Sequence, residues 1–304
     1  MERDWIVPMS GVVPSFFACV KAFSAPHDGI IVLSPVYYPF FRAAEQNGRK
    51  VVSINLIEKN RNYKIDFEKL EQEAQKKENS VLLFCSPHNP VGRVWTKYEL
   101  QRVADICKKN NVLVISDEIH FDLIMPGFRH HVFSEVEPDS VILTAPSKTF
   151  NIAGLQCSNM IIQNKELRER IKKEISTMSE GSCNCLGYTA CKAAYRYGDE
   201  WLNQLLQVIN YNKKTVEHFF EEKMPEVRTA ELQGTYLQWW DFRGYKLSNE
   251  ELEKILVNEA FLFPDMGYVF GPGGNGFIRV NLGCPSVKIE EALVRLEKAM
   301  RLHV

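Results

Sequence analysis

Val141-Ile142-Leu143-Thr144-Ala145-Pro146-Ser147-Lys148-Thr149-Phe150-Asn151 runs from an apolar stretch into a short polar turn and delivers a lysine there. Two upstream stretches behave alike. Val112-Leu113-Val114-Ile115 delivers Ser116-Asp117-Glu118, and Val81-Leu82-Leu83-Phe84 delivers Ser86-Pro87-His88-Asn89-Pro90. Runs that are apolar throughout, rather than alternating, fit strands covered on both faces. An amide, a carboxylate and an amine thus stand in that order at three strand ends.

Working outward, the pattern predicts strands over Gly29–Ser34, Lys50–Asn55, Ser80–Cys85, Val112–Ser116, Ser140–Ala145 and Ser158–Ile162. Helices are expected over Tyr38–Asn47, Asp66–Lys76 and Thr96–Asn110. The last has Thr96 as N-cap with Glu99 three residues on, a capping box. Alternating strands and helices imply an α/β sheet, mostly parallel. A helical stretch follows from Leu186 to Glu222, and the order then changes. Val227–Ala230, Tyr236–Asp241 and Phe277–Asn281 read as strands mixed with helices at Asn249–Glu259 and Val287–Arg301. The expected division is residues 1–223 as a large domain and 224–304 as a smaller α+β domain.

The 304 residues are 45% hydrophobic with a net charge of -1, enough apolar material for a large core and no basic field to recruit nucleic acid or an anionic membrane. No apolar run approaches the length of a bilayer span, and Met1-Glu2-Arg3-Asp4 does not open a signal peptide. The eight scattered cysteines read as free thiols of a reducing compartment, so a cytoplasmic location is expected. Three features are set aside. Gly271-Pro272-Gly273-Gly274-Asn275-Gly276 has the letters of a dinucleotide loop but precedes a strand. His130-His131 lacks a partner at metal-ligand spacing, and Trp239-Trp240 is expected to pack the small domain. Phe263-Pro264-Asp265-Met266-Gly267-Tyr268 is expected to border the site.

Singly, the three strand-end residues have bland readings: a solvated lysine, a helix cap, a turn. Together they match the needs of pyridoxal phosphate. Lys148 can bond the cofactor's aldehyde and move protons at a substrate α-carbon, provided its amine is unprotonated. Asp117 can pair with the pyridine nitrogen and keep the ring an electron sink. Asn89 can donate to the ring hydroxyl. Ser10-Gly11, ahead of a helix containing Pro14, offers free N–H groups of Gly11 and Val12 to a phosphate, and Ser147 adds a hydroxyl. No arginine follows within Gly154-Leu155-Gln156-Cys157.

The chain resembles fold-type-I pyridoxal-phosphate enzymes of the class I/II aminotransferase superfamily, and within it the MalY/PatB-type cystathionine β-lyases. The resemblance is carried by Gly11-Val12-Val13-Pro14, Ser34-Pro35-Val36-Tyr37-Tyr38-Pro39-Phe40, Cys85-Ser86-Pro87-His88-Asn89-Pro90-Val91-Gly92 and Ser116-Asp117-Glu118-Ile119-His120. Ser147-Lys148-Thr149-Phe150-Asn151 and Arg279-Val280-Asn281-Leu282-Gly283-Cys284-Pro285 complete the set, in family order over the whole chain. It implies a three-layer αβα large domain, Tyr37 stacked on the cofactor, His120 near the ring hydroxyl and Arg279 on the substrate α-carboxylate. The planar fork of arginine suits that bidentate task. It also implies an N-terminal segment that completes the small domain, wraps a partner subunit and is expected to be missing here, with weaker dimerisation as the result. The implied activity is cleavage of cystathionine or a related cysteine S-conjugate to a thiol, pyruvate and ammonia. An aminotransferase and an inactive, shortened binding protein are the alternatives. The expected partners are a small amino-acid substrate and, at full length, a second copy of the chain.

Overall fold

The computed structural model describes residues 1–178 and 183–303. Strand β1 (Ile6–Met9) leads into α1 (Val12–Phe23), β2 (Gly29–Ser34), α2 (Pro39–Glu45) and β3 (Lys50–Asn55). A hairpin of β4 (Ile57–Lys59) and β5 (Asn62–Lys64) precedes α3 (Phe67–Ala74), β6 (Asn79–Cys85), α4 (Lys97–Lys109) and β7 (Leu113–Asp117). Then come β8 (Val141–Thr144), β9 (Ser158–Ile162), α5 (Lys165–Thr177), α6 (Cys185–Tyr197) and α7 (Asp199–Lys223). The C-terminal part contains β10 (Arg228–Thr229), β11 (Leu237–Asp241), α8 (Asn249–Asn258), β12 (Asp265–Met266), β13 (Phe277–Asn281) and α9 (Ser286–Met300).

Among the described residues the main sheet has seven strands in the order β1-β9-β8-β7-β6-β2-β3. The pairs from β3 to β8 are parallel, and β9 and β1 run antiparallel at one edge. Each central strand buries both faces by simple alternation. Val81, Leu83 and Cys85 of β6 join one core with α1, while Leu82 and Phe84 join another with α3 and α4. Helices thus cover both faces of a mostly parallel sheet, the α/β architecture expected. The capping box of α4 forms as read, with Thr96 Oγ1 accepting from the Glu99 N–H and the Glu99 carboxylate accepting from the Thr96 N–H.

Some elements escape the sequence pattern. β1 carries Pro8, which edge strands tolerate because one side of an edge needs no donor. α5 buries only Ile171, so its apolar period is faint, and its start is marked instead by Asn164, whose side chain accepts from two backbone N–H groups. The stretch expected as one helix from Leu186 breaks at Gly198, where a Cβ would stand 2.3 Å from Phe150 and 2.5 Å from the Ala194 carbonyl.

A second sheet, β10-β11-β13-β12, is antiparallel throughout. It packs with α7, α8 and α9 around Val216, Phe220, Leu252, Leu293 and Trp240. The tryptophan pair departs from expectation. Trp240 enters this core, but Trp239 points the other way, into the core shared with α3 and α4, where it stacks on Phe277 at 5.0 Å. Adjacent residues of a strand face opposite sides, so one pair cannot serve one core.

Register places the chemistry. Cys85 pairs with Asp117, and Asp117 with Leu143, so the carboxyl ends of β6, β7 and β8 lie in one row. In the second sheet Asp265 pairs with Arg279. The turn after β12 is tight, since a Cβ on Gly267 would meet the Gly274 carbonyl oxygen at 2.1 Å and that of Phe277 at 2.6 Å. Backbone on both sides leaves little room to yield. Gly267→Ala is expected to lower stability by about 1–3 kcal/mol, read from the urea midpoint; an unchanged midpoint would show that the turn relaxes freely.

Candidate active site

The row of strand ends opens on a cavity of about 390 Å³ between the two sheets. Gly11, Val12, Tyr37, Asn89, Asp117, His120, Ser147, Lys148 and Arg279 all line it. A larger depression of about 480 Å³ lies beside the β4–β5 hairpin, walled by Glu58, Arg61, Glu217 and Glu221. The cations that line it are arginines, Arg61 and Arg228, and Arg61 is already tied to Thr229. The smaller cavity holds a lysine, a buried carboxylate and an arginine together, and is the candidate site.

Lys148 sits in the turn after β8, which is closed by Phe150 N–H donating to the Pro146 carbonyl and Ile152 N–H to that of Ser147. Buried Thr149 donates to Asp122 at 2.8 Å and anchors the turn from behind. Burial, and then the Arg279 charge, lower the Lys148 pKa against the opposing pull of Asp117. That is the direction a proton-transferring amine requires.

Asp117 ends β7 and is 5% exposed. Its Oδ1 accepts from the Ile119 N–H at 3.1 Å. Burial raises its pKa to about 7, with the Ile119 N–H and Lys148 pulling it back. A carboxylate placed so deep calls for a cationic partner. Next to it, Glu118 does not line the cavity: it accepts from Ser116, from the Phe133 N–H and, at 2.8 Å, from His130, while His131 of the same pair faces Glu135 instead.

Asn89 is fixed by its amide. Its Oδ1 accepts from Arg279 Nη1 at 2.8 Å, which leaves the NH2 as the donor into the cavity. Its main-chain carbonyl accepts from the Tyr37 N–H at 3.1 Å, bringing the half-buried Tyr37 ring to the same wall. His120 is buried with Nδ1 unpartnered among the described residues, and its ring meets Tyr236 edge-on at 5.7 Å. Burial, with Lys148 and Arg279, lowers its pKa to about 3, so it stands neutral.

At the opposite wall α1 begins with Gly11 as N-cap and no side-chain cap. Its first N–H groups point past the helix end, as an anion needs. Gln156 occupies the stretch that lacks an arginine, in a left-handed turn with φ 49°, and lines the cavity with Ala153. Tyr236, Asp265 and Asn281 complete the wall. Alternation along β13 places Asn281 on the face of Arg279, a signal present in the sequence. Tyr236, expected to open the strand Tyr236–Asp241, stands instead in the bend just before β11, and Gln156 comes from an irregular turn that left no periodic signal.

The residues fit pyridoxal phosphate. A bare helix N-terminus suits the phosphate, a buried carboxylate with no ion-pair partner among the described residues suits a protonated ring nitrogen, and an oriented amide suits the ring hydroxyl. Among the described residues no cluster of His, Cys, Asp and Glu could hold a metal ion, and no helix is long and apolar enough to cross a membrane.

The sequence profile of the family "Aminotransferase class I and II" matches residues 1–296. Cystathionine beta-lyase PatB of Bacillus subtilis is 37% identical over 294 residues, covering 95% of this chain and 76% of that protein. Protein MalY of Escherichia coli is 34% identical over 303 residues, covering 99% and 78%. The crystal structure of cystalysin from Treponema denticola, which contains a pyridoxal 5'-phosphate cofactor, superposes with a TM-score of 0.97 at 47% identity, covering 99% of this chain and 77% of that one. With a profile matched almost end to end and relatives this similar across three-quarters of their own length, the chain belongs to the aminotransferase class I and II family, in the branch that holds PatB and MalY.

Proposed function

We propose that this protein is a pyridoxal-phosphate-dependent carbon–sulfur β-lyase that cleaves cystathionine or related cysteine S-conjugates to a thiol, pyruvate and ammonia. The observation that carries the reading is Lys148, Asp117, Asn89 and Arg279 converging on one cavity in a chain so similar to PatB. When bound, pyridoxal phosphate supplies an aldehyde that condenses with amines and a ring that accepts the electron pair left by a departing α-proton.

The chain's residues supply the rest. The N–H groups at the start of α1 and the Ser147 hydroxyl would hold the phosphate. Asp117 would keep a proton on the ring nitrogen and be kept ionised by it. Asn89 would donate its amide to the ring oxygen, with neutral His120 lining the same cavity, and Tyr37 would pack on the ring face. Arg279 clamps the substrate α-carboxylate and so sets the α-hydrogen toward Lys148. Lys148 removes that proton, and loss of the β-thiolate follows. With the cavity closed around the substrate, the same lysine can return a proton to the departing sulfur.

The domain division is proposed to fall near Met224, with α7 lending its inner face to the C-terminal core. The free cysteines support a reducing, cytoplasmic setting. Half-exposed Tyr188, Tyr195, Trp201 and Tyr211 on α6 and α7 support a homodimer.

Incubation of the holoprotein with cystathionine and no 2-oxo acid is expected to release pyruvate and thiol; strict dependence on an added 2-oxo acid would make it an aminotransferase instead. Lys148→Ala is expected to lose the bound cofactor's visible absorbance band and to slow pyruvate release by about a thousandfold or more. Retention of that band would remove Lys148 from its role.

Asp117→Asn separates function from stability. The carboxyl titrates near 3.8 when exposed and near 7 in the cofactor-free fold. The folded state therefore holds its proton longer than the unfolded one, and stability falls as pH rises from about 4 to 7. Asp117→Asn should abolish turnover yet stabilise the cofactor-free protein at pH 8 by roughly 1–3 kcal/mol, and by little at pH 4. Equal effects at both values, measured by urea denaturation, would contradict this account.

A further inference from the structure

Arg279 has both edges of its fork occupied by protein. Nη1 donates to Asn89 Oδ1 at 2.8 Å, while Nε and Nη2 both donate to Asp265 Oδ2, at 3.2 and 2.6 Å. The second contact is built into the sheet, because Asp265 of β12 stands directly opposite Arg279 of β13. Among the described residues Asp265 and Asp117 are the two carboxylates that line the cavity, and Asp265 is the more exposed, with half its side chain in solvent. It also borders a mostly apolar depression of about 220 Å³ formed with Leu262, Phe263 and Pro264.

We propose that Asp265 is a specificity-determining residue for the far end of the substrate. It holds Arg279 until an α-carboxylate takes its place. It then turns its charge on the S-substituent, so that cysteine S-conjugates whose arm ends in an ammonium are preferred to those whose arm ends in a carboxylate. The inference rests on the lyase reading above and names the substrate class within it.

Asp265 is half in solvent but Arg279 is mostly buried, so the exchange costs little only because an incoming carboxylate takes over the same guanidinium edge as Asp265 leaves it. Asn89 keeps the guanidinium in place while the exchange occurs. Displacement does not carry Asp265 away, since its backbone stays paired with Arg279 in the β12–β13 ladder. Its charge therefore remains at the rim, where the arm of the S-conjugate must pass. Apolar Leu262, Phe263 and Pro264 give the methylenes of that arm a surface and no competing charge. An ammonium at its end meets a carboxylate; a carboxylate there meets repulsion. A zwitterionic arm, such as that of cystathionine, falls between the two.

The test uses the holoprotein and three probes: S-aminoethyl-cysteine, S-carboxymethyl-cysteine and the neutral S-ethyl-cysteine. Thiol release should give the aminoethyl conjugate a kcat/KM about tenfold or more above the carboxymethyl conjugate. In Asp265→Asn the ratio should fall to within about threefold, and Asp265→Glu should restore it. Taking the ratio cancels any general loss of activity caused by the substitution. An unchanged ratio in Asp265→Asn overturns the proposal. Absence of thiol even from S-ethyl-cysteine would sink the lyase reading by itself. The affinities of the same three conjugates, read from the cofactor's absorbance change, would then decide the charge preference in the same way.

Discussion

A carboxylate at the end of a strand covered on both faces is costly to keep in this fold. Asp117 lies within the apolar row of β6, β7 and β8, where an unpaired charge is poorly solvated. One N–H donor from Ile119 and the nearby Lys148 amine offset only part of that cost. The site is thus arranged as a demand for a cation from outside. The same low-dielectric setting lowers the pKa of Lys148 and holds His120 neutral. One setting thus moves Lys148 and His120 toward the unprotonated forms that carbanion chemistry needs, and leaves Asp117 to be ionised by the cation it awaits.

Arg279 extends that arrangement across the molecule. Its Nη1 reaches Asn89 in the loop that follows β6 of the main sheet, and its other edge reaches Asp265 on its own sheet. The guanidinium therefore orients the asparagine amide as well as offering itself to a carboxylate. A lysine could not do both, because the two contacts use separate edges of one plane.

Much of this was legible in the sequence, for one reason. Central parallel strands are apolar throughout and end abruptly, so Lys148, Asp117 and Asn89 stood out as polar residues at the ends of apolar runs. Arg279 stood out inside Phe277-Ile278-Arg279-Val280 for the same reason. What stayed hidden lacks that contrast. β1 is four residues long and carries Pro8, and α5 has one buried residue to mark its period. Gln156 reaches the cavity from irregular backbone, where no period exists, and Tyr236 from the bend just before β11. The partner of Arg279 depended on strand register, and only the fold shows that Asp265 lies opposite it.

The tryptophans of β11 have a mechanical meaning. Trp239 is embedded in the core of the main sheet and Trp240 in that of the small one, on neighbouring residues of one strand. That strand acts as a shared girder. The small sheet cannot swing as a free body about a flexible strap without pulling Trp239 and its stacked neighbour Phe277 together out of the core they share with the main sheet. Movement that admits a substrate must instead come from the rim, where chain segments are thin and solvent-facing. The wall that carries Arg279 stays stiff while the mouth beside it adjusts.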